Sequence, residues 1–226
     1  NRAMREGKWK LVAKGANSPW ELYDIEADRT ELNNLAEKET ARMNEMADRW
    51  EAWAKEALAK PWPWGAKKIK FSKKKNFTLK QGDHLPQAEA PMVRKRGFTV
   101  TATVETKGND GVIVAQGGTN HGWVLHVWKG HLAFATRHGG KLTSLIVEKP
   151  LPKSVVKVFA ELQTNGTVTL KVDDKVVIEG KTPGPMLDMP LDGLEVGEDR
   201  NGAVGNYPAD QKFKGTVKKL VLRLLK

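Results

Sequence analysis

The chain has 226 residues, no cysteine, and 38 Lys and Arg against 27 Asp and Glu, a formal net charge of +11. Lacking cysteine, it has no disulfide, no thiolate nucleophile and no Cys-ligated zinc; no apolar run approaches the ~20 residues of a membrane helix, so no membrane partner is expected. Residues 1–66 carry 11 basic against 12 acidic side chains and residues 67–226 carry 27 against 15, which points to two units, the second suited to an anionic partner.

The opening residues, NRAMREGKWKLVA, show neither an initiator Met nor a signal peptide and already read as the approach to a strand, so the expectation is the tail of a larger protein. Over 7–13, Trp9, Leu11 and Ala13 alternate with Lys8, Lys10 and Val12. A loop with Gly15, Asn17 and Pro19 leads to a second short strand over 20–23, together a hairpin signal. Residues 24–34 are polar and turn-rich. Met43, Met46, Ala47, Trp50, Trp53, Ala54, Ala57 and Leu58 recur at helical spacing, which predicts an amphipathic helix with a core-packing stripe. Arg42, Glu45, Asp48, Arg49, Glu51 and Lys55 face water. The helix ends before Pro61, and Pro61, Trp62, Pro63, Trp64 and Gly65 predict a stiff, extended linker whose two Trp dock on a neighbouring surface. One hairpin and one helix bury little, so this sheet is expected to be completed elsewhere, by upstream sequence or by the second unit.

From Ile69 the helical period disappears. Short strands are predicted over 77–80, 98–105, 111–116, 123–128, 131–136, 144–147, 155–162, 167–172, 175–179, 194–196 and 216–224, an antiparallel sandwich by their spacing. Lys129-Gly130 and Asp173-Asp174 supply tight turns. In 216–224, Val217, Leu220, Val221, Leu222 and Leu224 predict a closing strand.

Two stretches of the chain resemble known families. GKWKLVA, then WELYD with Ile25, Asp28, Glu31, Asn34 and Leu35, then a Trp-bearing helix, resemble the C-terminal subdomain of formylglycine-dependent arylsulfatases, and Asn1-Arg2-Ala3 resembles the segment downstream of that family's catalytic residues. GVIVAQGG, HGWVLHVWKGHLAFAT, GTVTLKVDDKVVIEG, LEVGEDRNGAVGNYP and KGTVKKLVLRL resemble a concanavalin-like, laminin-G-like jelly roll, a module that follows the sulfatase fold in some bacterial arylsulfatases. The expected fold is therefore mainly β: a small α+β subdomain (β-hairpin plus helix) over 1–60, a Pro/Trp linker over 61–68, and an antiparallel jelly-roll sandwich over 69–226. The resemblance implies an upstream sulfatase domain as partner, with calcium and formylglycine as that domain's cofactors, and a periplasmic or secreted setting.

The chemistry of that family, as the resemblance implies, starts from a Cys or Ser opening a Cys/Ser-x-Pro-x-Arg motif. Here Ser18, Ser72, Ser144 and Ser154 all lack a Pro two residues on. No catalytic residue is assigned, and the chain alone is expected to be inactive on sulfate esters. Asp192, Glu195, Glu198 and Asp199 lack the Glu-x-Asp-x-x-Glu spacing of jelly-roll glucanases, in which two carboxylates must face each other at ~5 Å. Gly117-Gly118 and Gly139-Gly140 are ordinary turns, with no phosphate loop.

Across the Lys129-Gly130 turn, Trp128 should oppose His131 and His126 should oppose Ala133. His126, Trp128 and His131 then share one face, while Leu125, Val127, Leu132 and Phe134 share the core face. Three His without a carboxylate give no assigned metal site. An indole flanked by two imidazoles suits a sugar ring; the alternative is a partly covered outer face. Basic runs occur at Lys67, Lys68, Lys70 and Lys73–Lys75, at Arg94-Lys95-Arg96, and at Lys212, Lys214, Lys218 and Lys219. Such runs are either solvated surface or a polyanion site. Nucleic acid fits poorly because aromatic residues are sparse among them; a sulfated or other anionic polysaccharide suits the charge. The jelly roll is therefore expected to brace the catalytic domain or to hold such a glycan, the alternatives being a free-standing carbohydrate-binding module or a polyanion or nucleic-acid binder. The glycan-binding candidates are thus His126, Trp128, His131, Arg94, Lys95 and Arg96. Loops at Asn109-Asp110 and 199–201 offer oxygen ligands of the kind that calcium takes.

Overall fold

A computed structural model describes residues 1–15, 17–59, 69–108, 110–208 and 211–225. The expected linker over 61–68, with Lys67 and Lys68, lies outside the described residues, as does Asn109. The chain divides into two compact units, 1–69 and 70–226, and is mainly β.

In the first unit, β1 (Arg2–Glu6), β2 (Trp9–Ala13) and β3 (Glu21–Asp24) form an antiparallel sheet in sequence order, followed by α1 (Thr40–Glu56). The expected hairpin is present, and residues 2–6 of this same chain add a third strand beside β2. Strand β1 was hard to see because Arg2, Met4 and Glu6 mix charge into the inward-facing positions. The register aligns Met4, Leu11 and Leu22. These pack with Ala36, Met43, Met46 and Ala47 into a small core. Helix α1 buries Met46, Trp50 and Ala54, one row at i, i+4, i+8. Trp53 is 54% exposed and Leu58 85% exposed, so neither belongs to the expected stripe. Trp53 lies outside the rows of Met43 and Ala47 and of Met46, Trp50 and Ala54 that pack inward, and Leu58 lies beyond the helix end in the left-handed region at φ 53°.

The second unit is two stacked six-stranded antiparallel sheets. One has the order β10-β9-β8-β7-β14-β5 and the other β13-β12-β11-β6-β15-β4. The strands of the first are β5 (His84–Leu85), β7 (Gly111–Gly117), β8 (Gly122–Trp128), β9 (His131–His138), β10 (Lys141–Pro150) and β14 (Leu194–Val196). Those of the second are β4 (Asn76–Leu79), β6 (Phe98–Glu105), β11 (Val155–Leu162), β12 (Thr167–Val172), β13 (Lys175–Lys181) and β15 (Thr216–Leu224). Every strand that the spacing predicts is present; only β5, two residues long, was not anticipated. Strand β6 alternates buried and half-buried at every position because one side meets the core and the other stays open. Its sheet partner β15 slips by one residue between Val217 and Lys219, which is why Val217 and Leu220 can both point inward although three apart.

The core between the sheets centres on Trp123, 4.4 Å from Phe98 and 6.3 Å from Phe134 by ring centroids. Its indole N–H donates to Gln116 Oε1 at 3.3 Å, and the Gln116 amide donates to Pro91 O, so both buried polar groups are satisfied. Leu125, Val127, Leu132 and Phe134 line this core as predicted.

Candidate functional site

The β8–β9 hairpin has the expected register: Trp128 opposes His131 and His126 opposes Ala133. The face that they share is nevertheless closed. The segment after β14 folds back over it, placing Val204 and Tyr207 on Val112, Ala115, Val124 and Ala135 to make a second, smaller core. Its return brings Lys212 alongside Val112 as a parallel bridge. Gly111, at φ 133°, permits this approach, since a Cβ there would lie 2.2 Å from Lys212 O. His126 is 5% exposed with the Tyr207 ring 5.3 Å away, Trp128 is half-buried, and the half-buried His131 places Nδ1 2.8 Å from Val147 O. The expectation of a sugar platform on this hairpin is corrected: the imidazole that should flank the indole is part of the packing.

The covering segment is pinned by polar contacts. Asp199 is almost fully buried; its Oδ2 accepts from the Tyr207 hydroxyl at 2.7 Å and from Val204 N–H at 3.1 Å. Burial raises the Asp199 carboxyl to about 6, against the two hydrogen bonds that favour its charged form. Burial, then the Asp199 charge, pushes the Tyr207 hydroxyl up. Burial also lowers His126 to about 4, opposed by the Asp110 carboxylate. The two effects on stability have opposite signs. Folded Asp199 holds its proton more tightly than the unfolded chain, so its contribution is complete below pH ~4 and is lost as pH rises to about 6. Folded His126 holds its proton less tightly, so its contribution is complete above ~6.5 and is lost as pH falls to about 4. Each is worth on the order of 3 kcal/mol, and across pH 4–6 they oppose one another. Relative to the parent chain, His126→Gln is therefore expected to gain about 3 kcal/mol between pH 6.5 and 4. Urea unfolding at a series of pH values reads this directly, and a variant whose offset from the parent is constant with pH would contradict the assignment.

The loop of Arg94, Lys95 and Arg96 is exposed and lies elsewhere. Arg94 Nε donates to Leu187 O at 3.2 Å and Lys95 N–H to Met186 O. Asp188, 3.9 Å from Arg94, lines a rim pocket with residues 118–121, at the opposite end of β8 from Trp128. The two halves of the expected glycan site are therefore not brought together. Of the acidic side chains at 192–199, Glu195 and Glu198 gather around Arg200, and Asp199 is held by the covering segment. Glu195 Oε2 accepts Arg200 N–H at 2.6 Å, with His84 Nδ1 3.3 Å from Oε1. Glu198 pairs with the Arg200 guanidinium, which holds its carboxyl below the usual range. Among the described residues no three His, Asp or Glu side chains converge as a metal site. Asp110 Oδ1 accepts Gly130 N–H, and Asp199 Oδ2 accepts the Tyr207 hydroxyl.

The open surface is the outer face of the other sheet. Residues paired across a ladder share a face, and the registers set Thr78, Val221, Thr101, Phe159 and Lys171 in one row across β4, β15, β6, β11 and β12. The next row is Asn76, Arg223, Thr99, Glu161 and Thr169, and Thr103 lies between Lys219 and Lys157 in a third. A cleft of about 590 Å³ follows the first two rows, lined by Asn76, Thr99, Thr101, Phe159, Val221 and Arg223. The Lys171 ammonium stands 5.1 Å from the Phe159 ring centroid. Lys75 O accepts from Leu224 N–H, so the basic run ending at Lys75 leads into this cleft. Hydroxyls on the floor, one aromatic side chain and the Arg223 cation are groups that grip a sugar ring bearing an anionic substituent, with the Glu161 carboxylate in the same row on the far side of Thr99. The Thr column of β6 was visible in FTVTATVE; that Phe159 and Arg223 flank it depends on strand order, which the sequence does not print.

No protein-family model matches the chain. A stretch of 52 residues, 22% of the chain, is 38% identical to an uncharacterized sulfatase of Schizosaccharomyces pombe and spans 9% of that relative's length. Among solved structures, the CBM40 of the Ruminococcus gnavus IT-sialidase, bound to alpha2,3 sialyllactose, is similar with a TM-score of 0.49 and 13% identity, over 68% of this chain and 92% of that one. Domains LG4-5 of the mouse laminin alpha1 chain give 0.44 and 15%, over 69% and 40%. A Caenorhabditis elegans galectin gives 0.43 and 9%, over 69% and 99%.

Proposed function

We propose that this chain is the non-catalytic C-terminal part of an arylsulfatase-type hydrolase, and that its second unit holds an anionic, sulfated glycan along the outer face of the β13-to-β4 sheet. The observation that carries the glycan reading is the open cleft over Thr99 and Thr101, with Phe159 as an apolar wall and Arg223 as a cation. The parent activity is supported by the 52-residue stretch at 38% identity to a sulfatase and by the order of GKWKLVA, WELYD and the Trp helix. On this reading, calcium and formylglycine belong to the catalytic domain, which is the first unit's partner, and the setting is periplasmic or secreted. On this reading a sulfated polymer serves the catalytic domain and the second unit together: the former hydrolyses the ester while the latter keeps the chain close, raising its local concentration.

Calorimetric titration of the whole chain with a sulfated hexasaccharide and its desulfated counterpart, at 50 and 200 mM salt, tests the glycan part. The sulfated ligand is expected to bind with a micromolar Kd that weakens with salt as charges are screened, and the desulfated ligand at least tenfold more weakly. Equal affinity for both, or none for either, contradicts it. The non-catalytic part predicts no turnover of an aryl sulfate by this chain, and measurable hydrolysis overturns it.

A further inference from the structure

A second binding site lies where the two sheets part at one edge of the sandwich. Edge strands β10 and β13 enclose a pocket of about 230 Å³ walled by Val147, Leu151, Val172 and Val177. Val147 and Leu151 belong to the main core and Val172 and Val177 pack against it, so the floor is continuous with the protein interior. Both strands break register here. Between Ile146 and Pro150, strand β10 runs four residues while its partner β9 advances two, from Ala133 to His131. On the other wall, consecutive residues Leu170 and Lys171 of β12 pair with Ile178 and Val176, leaving Val177 as an extra residue. Bulges of this kind re-aim side chains, and these two sit on the facing walls of the pocket.

The mouth carries charge. Lys149 and Lys175 line it, and neither has an ion-pair partner among the described residues. The carboxylate lining it, Asp173, already accepts Lys157 N–H at 2.9 Å. A cavity of ~150 Å³ accommodates benzene, so this one has room for a single ring with one substituent. We propose that this pocket binds a small amphipathic anion: one aromatic or compact aliphatic body seated on the valines, and one sulfate, sulfonate or carboxylate held by Lys149 and Lys175. It is separate from the glycan face, whose residues it does not share.

Methyl-resolved NMR of the full chain with p-toluenesulfonate tests the proposal. The methyls of Val147, Val172 and Val177 are expected to shift in a saturable way. Inorganic sulfate should leave them unmoved, and the neutral methyl p-tolyl sulfone should bind at least tenfold more weakly. The double variant Lys149→Gln, Lys175→Gln should lose at least fivefold in affinity, whereas Phe159→Ala, on the glycan face, should change nothing here. Unmoved methyls at millimolar p-toluenesulfonate overturn the site. Equal binding of the neutral sulfone, or full affinity in the double-lysine variant, overturns the anion assignment.

Discussion

Alanine at both Phe159 and Arg223 is expected to weaken binding of a sulfated hexasaccharide about 100-fold. Arg223 offers a planar fork of N–H donors that matches two oxygens of one sulfate, and a hydrogen bond to a charged group contributes about 1.5–3 kcal/mol. Phe159 supplies the apolar wall of the cleft, and aromatic contact adds roughly 1 kcal/mol. Together these reach ~3 kcal/mol, two powers of ten in Kd. Neither side chain faces the core, since their rows run along the outer surface with Thr99 and Thr101. Thermal unfolding should therefore move little, and that pairing of results separates a binding role from a structural one. Calorimetry alongside differential scanning measures both. Unchanged affinity in the double variant places the glycan elsewhere.

The largest effect on stability is expected at Arg2. Arg2→Ala should cost the first unit about 3–5 kcal/mol, close to the whole stability that so small a unit commands. The Arg2 side chain is 10% exposed. Its Nε donates to Gly15 O at 3.1 Å and a terminal nitrogen to Ser18 O at 2.9 Å, tying β1 to the β2–β3 connection. The guanidinium lies 4.1 Å from the Trp20 ring centroid and 5.6 Å from that of Trp50, and Glu51 is 3.9 Å away. Trp20 and Trp50 meet edge to face at 5.5 Å, so one cation bridges strand, loop and helix. Two charge-assisted hydrogen bonds and a buried cation–π contact account for the figure. Arg2→Lys should recover less than half, because an ammonium cannot reproduce the fork. Near-ultraviolet circular dichroism of the Trp20–Trp50 pair follows the loss, and an alanine variant with an undiminished signal and midpoint contradicts this role for Arg2.

The sandwich was legible because its strands have one wet and one dry face. Phe98, Val100, Ala102 and Val104 alternate with Thr99, Thr101, Thr103 and Glu105, and alternation carries strand, register and facing together. Pairing across the Lys129-Gly130 turn was also readable, because a two-residue hairpin fixes register locally. What failed was non-local. Nothing near His126 reveals that Val204 and Tyr207, almost eighty residues on, close the face above it. Strand β7 contained the only hint: GVIVAQG is buried at every position, the mark of a strand covered on both sides rather than one. The cleft was missed for the same reason. Asn76, Thr101, Phe159 and Arg223 come from four strands, and they become neighbours only through the order β11-β6-β15-β4. In the first unit, residues 2–6 read only as the approach to a strand, because a charged residue at an inward-facing position, Arg2, obscures the period that marks one.

Backbone amide NMR of the full chain during titration with a sulfated hexasaccharide tests the central claim most directly. The amides of Thr99, Thr101, Thr103, Phe159 and Arg223 are expected to shift together on one saturation curve, with 126–131 and 94–96 left still. A response centred on residues 94–96 and 188–192, or no response on β6 and β15, would show that the open sheet face is not where this protein meets an anionic sugar chain.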